Sequence, residues 1–369
     1  MRIRIAVFVA IIQSILFLAH WFLYVTWISF WGKPDPAGIW KLQAAFALLS
    51  VSFVAATLSG LRYSHILVRQ FYRIAAVWLG VLSFSFLAAC SGWVLYAAAL
   101  LGGLDFERRA LAAVLFGLAI LASLYGIVNA ARIRVRRITV TLPNLPESWR
   151  GRVAALVSDV HLGNVRSGAF ARHIVGMLGR LAPDVVLLAG DLFDGPAADL
   201  EGLAKPWAEL RAPLGAYFVT GNHEEFSSRT KYLDAMKHSG VRILNNEKVT
   251  LDGMQIVGVQ YGDSRDPERF RSLLRQAALD RGRASILLTH EPDRLPIAEQ
   301  EGISLQLSGH THGGQFFPFT WITGRIYGQY VYGLKRMGNL MVYTSCGAGT
   351  WGPPMRVGTK PEIVLIRFE

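Results

Sequence analysis

The chain has 369 residues, enough for two domains of ordinary size, and 52% of them are hydrophobic while only 17% are charged. Its formal net charge of +12 favours acidic partners such as anionic lipid head groups and phosphorylated substrates; in the absence of a recognisable nucleic-acid-binding module, we expect no nucleic acid partner. The two cysteines, Cys90 and Cys346, lie far apart, which argues against a disulfide framework.

Residues 1–131 consist largely of four apolar stretches separated by short charged segments. Each stretch reaches or exceeds the roughly 20 residues that a helix needs to cross the hydrocarbon core of a bilayer. We therefore predict an N-terminal all-α region of four transmembrane helices; the alternative is a very apolar soluble helical domain. The stretches cover roughly residues 5–30, 39–61, 74–101 and 110–131.

Lysine and arginine are concentrated before the first stretch, between the second and third, and after the fourth. By the positive-inside rule, both chain termini and the C-terminal part are expected in the cytoplasm, and an odd number of true spans would reverse this orientation. The basic residues on this side are Arg2, Arg4, Arg62, Arg69, Arg73, Arg132, Arg134, Arg136 and Arg137, whereas the opposite loops hold Lys33, Arg108 and Arg109.

Three polar residues, Gln13, His20 and Gln43, lie inside the apolar stretches. Such groups either line a pathway for a ligand or form hydrogen bonds to a neighbouring helix. Transport is the weaker interpretation, because the stretches carry no ionic side chain beyond their first few residues.

After the fourth stretch, residues 132–150 are predicted to form a basic juxtamembrane linker, and residues 151–369 to form an α/β domain. Short apolar runs alternate with helical segments at about 168–181 and 199–210. Such continuous apolar runs are typical of strands that are covered on both faces. The predicted strands are 153–157, 185–189, 216–220, 256–259, 285–289, 305–308, 340–344 and 363–368.

Polar residues follow the carboxyl ends of these strands, which is where open α/β sheets place their sites. Taken singly, each has an ordinary interpretation as a turn residue or a structural histidine. Together, their oxygen and imidazole donors suit divalent metals such as Mn, Fe, Co, Ni or Zn, and no cysteine competes. The residues are Asp159, His161, Asp191, Asp194, Asn222, His223, His290, His310 and His312.

The order and spacing of these residues resemble the five-part signature of the calcineurin-like metallophosphoesterases, over about residues 150–369. The resemblance implies two mixed β-sheets flanked by helices and a metal-dependent phosphoric ester hydrolase. The five motifs are Asp-Val-His at 159–161, Gly-Asp-Leu-Phe-Asp at 190–194, Gly-Asn-His-Glu at 221–224, the single His290, and Gly-His-Thr-His at 309–312.

The resemblance also implies two divalent metal ions (Mn, Fe or Zn) and attack on phosphorus by a hydroxide that bridges them. Because only Asp159 and Asp191 among the implied ligands are ionised, such a site keeps excess positive charge and attracts a phosphate anion. The implied ligands are Asp159, His161 and His312 for one metal, Asn222, His290 and His310 for the other, and Asp191 between them.

His223 resembles the family's non-ligand histidine, which protonates the leaving group or stabilises developing charge. Asp194 would accept a hydrogen bond from the other ring nitrogen of this histidine; its alternative interpretation is a turn residue. Glu224 is interpreted as a supporting or structural residue.

The segments Gly313-Gly314-Gln315 and Gly349–Pro354 are similar to those of a bacterial, membrane-associated branch of the family. Its UDP-diacylglucosamine pyrophosphohydrolase-like and phospholipid phosphodiesterase-like members imply lipid metabolism and a place in the bacterial inner membrane. The apolar run Phe316–Ile322 either contacts acyl chains or the membrane surface, or packs against the sheet.

Three functions follow from this sequence. The first is hydrolysis of a phosphodiester or pyrophosphate bond in a lipid-linked substrate. The second is hydrolysis of soluble nucleotides or phosphoproteins, with the membrane region as an anchor or sensor. The third is a scaffold without catalysis, which the complete set of candidate ligands disfavours.

Overall fold

The computed structural model describes residues 2–63, 65–105, 107–194, 199–226 and 229–369. Two compact units make up the chain. The helical unit comprises Met1–Val128 with Gly352–Met355, and the α/β unit comprises Asn129–Trp351 with Arg356–Glu369.

Within the described residues, the helical unit is built from four long apolar helices, as predicted, and each is long and apolar enough to cross a membrane. The side chain of Asp35 caps the second helix by accepting a 2.8 Å hydrogen bond from the Gly38 N–H, and Pro36 occupies its first turn. The helices are α1 (Arg2–Trp31), α2 (Pro36–Arg62), α3 (Ile66–Leu101) and α4 (Arg108–Ala130).

Three polar side chains inside these helices, those of Gln13, His20 and Gln43, each have a hydrogen-bond partner on a neighbouring helix. Gln13 donates to the Ser50 carbonyl oxygen at 3.0 Å. The indole N–H of Trp78 donates to His20 Nε2 at 2.9 Å, while His20 Nδ1 lies 2.7 Å from the carbonyl oxygen of residue 16. Gln43 donates to the Tyr24 hydroxyl at 2.9 Å. These contacts are those of groups that join helices, rather than of an open polar pathway.

The strands of the α/β unit form two six-stranded sheets within the described residues. The first has the order β1-β12-β2-β3-β4-β5 and the second the order β10-β11-β9-β8-β7-β6. The strands are β1 (Arg134–Val140), β2 (Val153–Val157), β3 (Val185–Ala189), β4 (Ala216–Val219), β5 (Arg242–Ile243), β6 (Glu247–Leu251), β7 (Met254–Val259), β8 (Ser285–Thr289), β9 (Leu305–Ser308), β10 (Gly333–Met337), β11 (Leu340–Thr344) and β12 (Glu362–Phe368).

Helices flank the two sheets. They are α5 (Gly168–Leu181), α6 (Leu200–Ala204), α7 (Asn222–Phe226), α8 (Arg229–Met236), α9 (Tyr261–Arg265), α10 (Pro267–Gln276), α11 (Leu295–Gln300) and α12 (Phe319–Tyr327). Short 3-10 helices occupy Glu147–Trp149, Lys205–Glu209, His312–Gly314 and Gly328–Val331.

Each sheet mixes parallel and antiparallel neighbours, which confirms the predicted architecture. Strands β2 to β5 run parallel, whereas β12 is antiparallel to β2. In the second sheet, β7, β8, β9 and β11 run parallel and β6 and β10 are antiparallel at the two edges. Side chains such as Leu156, Leu187, Ile286 and Leu307 fill the space between the sheets. The outer faces are covered by helices, which explains the uninterrupted apolar strands.

Strand β1 lies in the segment that the sequence predicts as a linker. It pairs in parallel with β12, from Arg134 opposite Glu362 to Val140 opposite Phe368, and forms the edge of the first sheet. An edge strand tolerates charged side chains because one of its sides has no neighbouring strand. Arg134, Arg136 and Arg137, which indicate membrane topology, therefore also lie in a strand that their charge makes hard to recognise from the sequence.

The two sheets approach closely at Gly258 in β7. A Cβ atom at this position would lie 2.0 Å from the Leu244 carbonyl oxygen and 2.8 Å from Val219 Cγ1, both on the side of the first sheet. Only glycine fits this approach without a shift of backbone.

We expect Gly258→Ala to destabilise the fold by about 1–3 kcal/mol, because the sheets must separate to admit the methyl group. The matched control is Gly179→Ala in α5, where a Cβ would meet nothing within 4 Å. This control should stabilise the helix by about 0.5–1 kcal/mol. Urea unfolding of both variants checks the prediction, and equal effects of the two substitutions would contradict it.

Candidate metal centre

The predicted site residues gather where parallel strands of both sheets end. Asp159 and His161 follow β2, and Asp191 and Asp194 follow β3. Asn222 and His223 begin α7 after β4, His290 follows β8, and His310 and His312 follow β9. The structure brings all nine residues together at one edge of the α/β unit.

The backbone at these strand ends turns sharply. Asp159, His161, Asp191, His310 and His312 all have positive φ angles, between 51° and 70°. Non-glycine residues rarely adopt this conformation, and such residues cluster at functional sites.

Glycines in the motifs allow these turns to pack. A Cβ atom on Gly221 would lie 2.1 Å from Asp191 Oδ1, and one on Gly309 would lie 2.2 Å from Asp159 Oδ2. The two glycines are therefore needed for the carboxylates to occupy their positions.

One group of donor atoms comes from Asp159, His161 and His312, all three buried. The Nε2 atoms of the two histidines are 3.0 Å apart, and His312 Nε2 lies 3.6 Å from Asp159 Oδ1. His161 Nε2 also lies 3.8 Å from Asp191 Oδ2. Two imidazoles and a carboxylate thus point at one small volume.

A second group comes from Asp191, His290 and His310. His290 Nε2 lies 3.1 Å from Asp191 Oδ2. The Asn222 side-chain oxygen completes the group, at 3.0 Å from His290 Nε2 and 2.9 Å from His310 Nδ1. Asp191 is therefore within reach of both groups.

The chemistry of these donors fits divalent metal ions. Burial lowers the pKa of His161 to about 4 and that of His310 to about 3, so these imidazoles are neutral, as metal ligands must be. Burial also lowers the pKa of His290, but the charge and hydrogen bond of Asp191 outweigh it and raise the pKa to about 10. In the metal-free chain a proton therefore occupies the position between Asp191 and His290 where a cation fits.

His223 and Asp194 form a third group with His161, in which the possible donor atoms lie within 4.8 Å of one another. The side chain of His223 is 17% exposed and is paired with Asp194. His223 Nδ1 lies 2.9 Å from Asp194 Oδ1, and Nε2 lies 4.0 Å from Asp191 Oδ2. Burial lowers the pKa of His223, but the hydrogen bond of Asp194 and the charge of Asp191 outweigh burial and raise it to about 9. At neutral pH the metal-free chain holds a proton on His223 that Nε2 can present to a ligand.

Glu224 joins two of the motifs through its buried carboxylate. Oε2 accepts hydrogen bonds from the N–H groups of Asp191 at 3.0 Å and Gly221 at 2.7 Å. Oε1 accepts from the N–H of Phe193 at 3.0 Å. Both oxygens thus face backbone donors, which agrees with the supporting role expected from the sequence.

Arg356 is a further residue of the centre, and its fully buried guanidinium braces one candidate ligand. Nη2 donates to the carbonyl oxygens of Cys346 at 2.6 Å and Gly349 at 2.7 Å, and lies 3.1 Å from His312 Nδ1. Nη1 donates to the His312 carbonyl oxygen at 3.2 Å. A lone arginine between Pro354 and Gly358 carries no local signal for this role.

The run Phe316–Ile322 is buried at its first residue and becomes exposed further along. Phe316 is buried, with 3% of its surface exposed. From Phe319 the chain forms α12, no residue of which is buried. The helix ends beside the centre, where the Tyr327 hydroxyl donates to Glu291 Oε1 at 2.7 Å.

Comparison with known proteins agrees with this geometry. Residues 153–314 match the family described as Calcineurin-like phosphoesterase. An uncharacterized metallophosphoesterase of Campylobacter jejuni is 30% identical over 73% of this chain and 74% of its own length. The Danio rerio transmembrane protein with metallophosphoesterase domain is 34% identical over 71% of this chain, which spans 63% of its length. A Caenorhabditis elegans protein named as a metallophosphoesterase is 30% identical over 99% of this chain and 75% of its own length.

We expect Glu224→Gln to destabilise the metal-free protein by about 1–3 kcal/mol, because the new amide NH2 must face a backbone donor. Burial and the charge of Asp191 raise the pKa of Glu224 to about 7, so urea unfolding should be measured at pH 8, where the carboxylate is ionised. Exposed Glu201→Gln is the control and should change stability by less than about 0.5 kcal/mol. A Glu224→Gln variant as stable as this control would contradict the supporting role of the Glu224 carboxylate.

Stability should depend on pH through His223. Its folded pKa of about 9 lies above its ordinary value of 6.5. The stabilisation is therefore fully present below pH 6.5 and is lost as pH rises through 9. Asp194→Asn removes the main partner, so the difference in thermal midpoint between this variant and the wild type, both treated with chelator, should shrink across that interval. A difference that stays constant with pH would be inconsistent with the pairing.

Proposed function

The chain belongs to the calcineurin-like metallophosphoesterase family, and we propose that it is a membrane-anchored, two-metal-dependent phosphoesterase that hydrolyses a phosphodiester or pyrophosphate bond of a lipid-linked substrate. Membership makes the chain a metal-dependent hydrolase of phosphoric esters. The observation that carries the two-metal proposal is that Asp191 lies within reach of two separate donor groups.

In this proposal one metal ion is held by Asp159, His161 and His312, and the other by Asn222, His290 and His310. Asp191 is shared, since its Oδ2 atom lies 3.8 Å from His161 Nε2 and 3.1 Å from His290 Nε2. When bound, Mn, Fe or Zn ions supply acidification of water and stabilisation of negative charge on the phosphate. The neutral imidazoles leave excess positive charge for that phosphate, because only two of the proposed ligands are carboxylates.

His223 is proposed to move the proton that the leaving oxygen needs. Its Nδ1 atom is held 2.9 Å from Asp194, which fixes the ring orientation and leaves Nε2 facing Asp191 and the donor groups. A protonated Nε2 can donate to the oxygen of the departing group as negative charge develops there. Asp194 acts through His223 and is a positioning residue.

Two features support a lipid-linked substrate. The chain carries four candidate membrane spans, and an exposed apolar surface borders the metal centre. The distribution of lysine and arginine around the spans supports placement of the α/β unit on the cytoplasmic face of a bacterial inner membrane. A soluble nucleotide or phosphoprotein is the second candidate, because the donor groups by themselves recognise phosphate and metal rather than lipid.

Purified full-length protein with Mn should hydrolyse lipid phosphodiesters or pyrophosphates faster than water-soluble nucleotides and diesters. His223→Ala should lower kcat by about 10²–10⁴-fold, because the proton donor is lost, while about two Mn ions per chain remain bound. His173→Ala, at an exposed position of α5, is the matched control and should leave kcat unchanged.

The same preparation separates the alternatives. Activity confined to soluble nucleotides would contradict the proposal of a lipid-linked substrate but not the proposal that the protein is a hydrolase. Wild-type protein that binds a single Mn ion per chain would contradict the two-metal proposal. Folded, metal-loaded protein without activity on any ester would favour a scaffold.

A further inference from the structure

Large apolar side chains that are exposed on the α/β unit are confined to two short segments. Among its described residues, they occur only at positions 317–326 and at Trp351. We call this surface the apolar platform. Its members are Phe317 (52% exposed), Phe319 (49%), Trp321 (58%), Ile322 (40%), Ile326 (68%) and Trp351 (59%).

Hydrogen bonds join the two segments of the apolar platform. Gln315 Nε2 donates to the Trp351 carbonyl oxygen at 3.0 Å, and the Trp351 N–H donates to Gln315 Oε1 at 3.0 Å. Gln315 follows the candidate ligand His312 by three residues, so the joint lies next to the metal centre.

Ring contacts place the apolar platform at the mouth of the centre. The rings of Trp351 and His223 are 6.3 Å apart between centroids. At the end of α12, the ring of Tyr327 lies 6.2 Å from that of His310. The apolar platform therefore borders both the proposed proton donor and a proposed ligand.

Helix α12 has the pattern of a helix that lies in a membrane interface. Phe319, Ile322 and Ile326 recur at i, i+3 and i+7 and so share one face. Each is exposed, although a contiguous apolar surface on a soluble domain is costly and usually marks an interaction site.

The charge of the sequence segment that carries the apolar platform suits anionic lipid. Between Glu301 and Glu362 the sequence contains no aspartate or glutamate. The same interval exposes Arg325, Lys335 and Arg336, and the Arg325 guanidinium lies 5.3 Å from the centroid of the Trp321 ring. Aromatic rings combined with basic side chains are typical of surfaces that sit among anionic head groups. The four candidate membrane spans of the same chain favour a bilayer over an acidic soluble protein as the partner of this surface.

The chain itself keeps a bilayer within reach. The last candidate span, α4, ends at Ala130, and β1 begins at Arg134, so only three residues separate them. So short a connection holds the α/β unit at a membrane surface whenever α4 spans it.

We infer that the apolar platform inserts into the interfacial layer of an anionic bilayer, with the indole and aliphatic side chains below the head groups and Arg325 among the phosphates. The inference deepens the proposed function, on which its purpose rests. A lipid-linked phosphate would reach the metal centre from the bilayer surface without its acyl chains entering water.

The test places a nitroxide at Phe319→Cys, Ile322→Cys or Ile326→Cys, one at a time, in the full-length chain with Cys90→Ala. Cys346 is buried, and burial raises the pKa of its thiol to about 12, so it stays unlabelled. The protein is reconstituted in phosphatidylglycerol–phosphatidylcholine vesicles. Electron paramagnetic resonance then compares collisions of the label with oxygen, which enters the bilayer, and with a water-soluble nickel chelate.

All three labels should show a several-fold higher ratio of oxygen to nickel collisions than a control label at Gln276→Cys in α10. The ratio should fall in vesicles of phosphatidylcholine alone and in an Arg325→Gln background, because both changes remove charge attraction. Unchanged thermal midpoints would show that the labelled variants fold.

Labels as accessible to nickel as the control would overturn the inference. A collision ratio that does not change with lipid charge would also overturn it. Spin–spin broadening that grows with protein density would overturn it too, because it means that a second copy of the chain covers the apolar platform. The measurement needs neither metal nor substrate. Inserted labels without lipid hydrolysis would therefore refute the proposed substrate alone, and exposed labels with hydrolysis would refute the insertion alone.

Discussion

The centre is organised around a carboxylate that is buried at the end of β3. Asp191 Oδ2 lies 3.1 Å from His290 Nε2, 3.8 Å from His161 Nε2 and 4.0 Å from His223 Nε2. Asp191 Oδ1 accepts a hydrogen bond from the backbone N–H of His223 at 3.0 Å. The backbone N–H of Asp191 is itself held by Glu224. A carboxylate out of water is costly unless charge or hydrogen bonds surround it, so the positions of the neighbouring side chains follow from satisfying Asp191.

The fold meets this constraint by combining two sheets. Strands β2, β3 and β4 of the first sheet and strands β8 and β9 of the second end at the same edge, so residues far apart in the chain surround one carboxylate. The arrangement demands positive φ angles at five of the candidate ligands and glycine at close approaches such as Gly221. Strain of this kind persists only where the surrounding structure is well packed. The apolar layer between the sheets and the brace by Arg356 provide that packing.

The metal centre and the apolar platform are close in the sequence as well as in space. Helix α12 begins seven residues after His312, and its residues Phe319, Ile322 and Ile326 lie on an exposed face. Tyr327 then returns to the centre through Glu291, the neighbour of the candidate ligand His290. Tyr327 thus connects the end of α12 to two of the proposed ligands, to His290 through its neighbour Glu291 and to His310 through a ring contact.

Much of this protein is decided by local sequence. Long apolar runs are enough to predict four helices that could span a membrane, because length and hydropathy determine whether a helix can cross a bilayer. Continuous apolar runs followed by Asp, Asn and His at fixed spacing predict eight of the twelve described strands and the nine candidate site residues, and their resemblance to the family implies the two mixed sheets. Each of these signals lies within a few residues of the position it predicts.

Tertiary structure alone decided the features that depend on distant partners. The basic run before residue 150 forms the edge strand β1 only because β12, more than 200 residues later, offers it a neighbour. Arg356 becomes a brace only where two loops, one holding His312 and the other holding Cys346 and Gly349, present carbonyl oxygens to it. The exposed face of α12 likewise could not be read from its apolar residues, because the same composition packs inward at Phe316 and outward at Ile326. Contacts between residues far apart in the chain determine these three features, so a local sequence pattern cannot predict them.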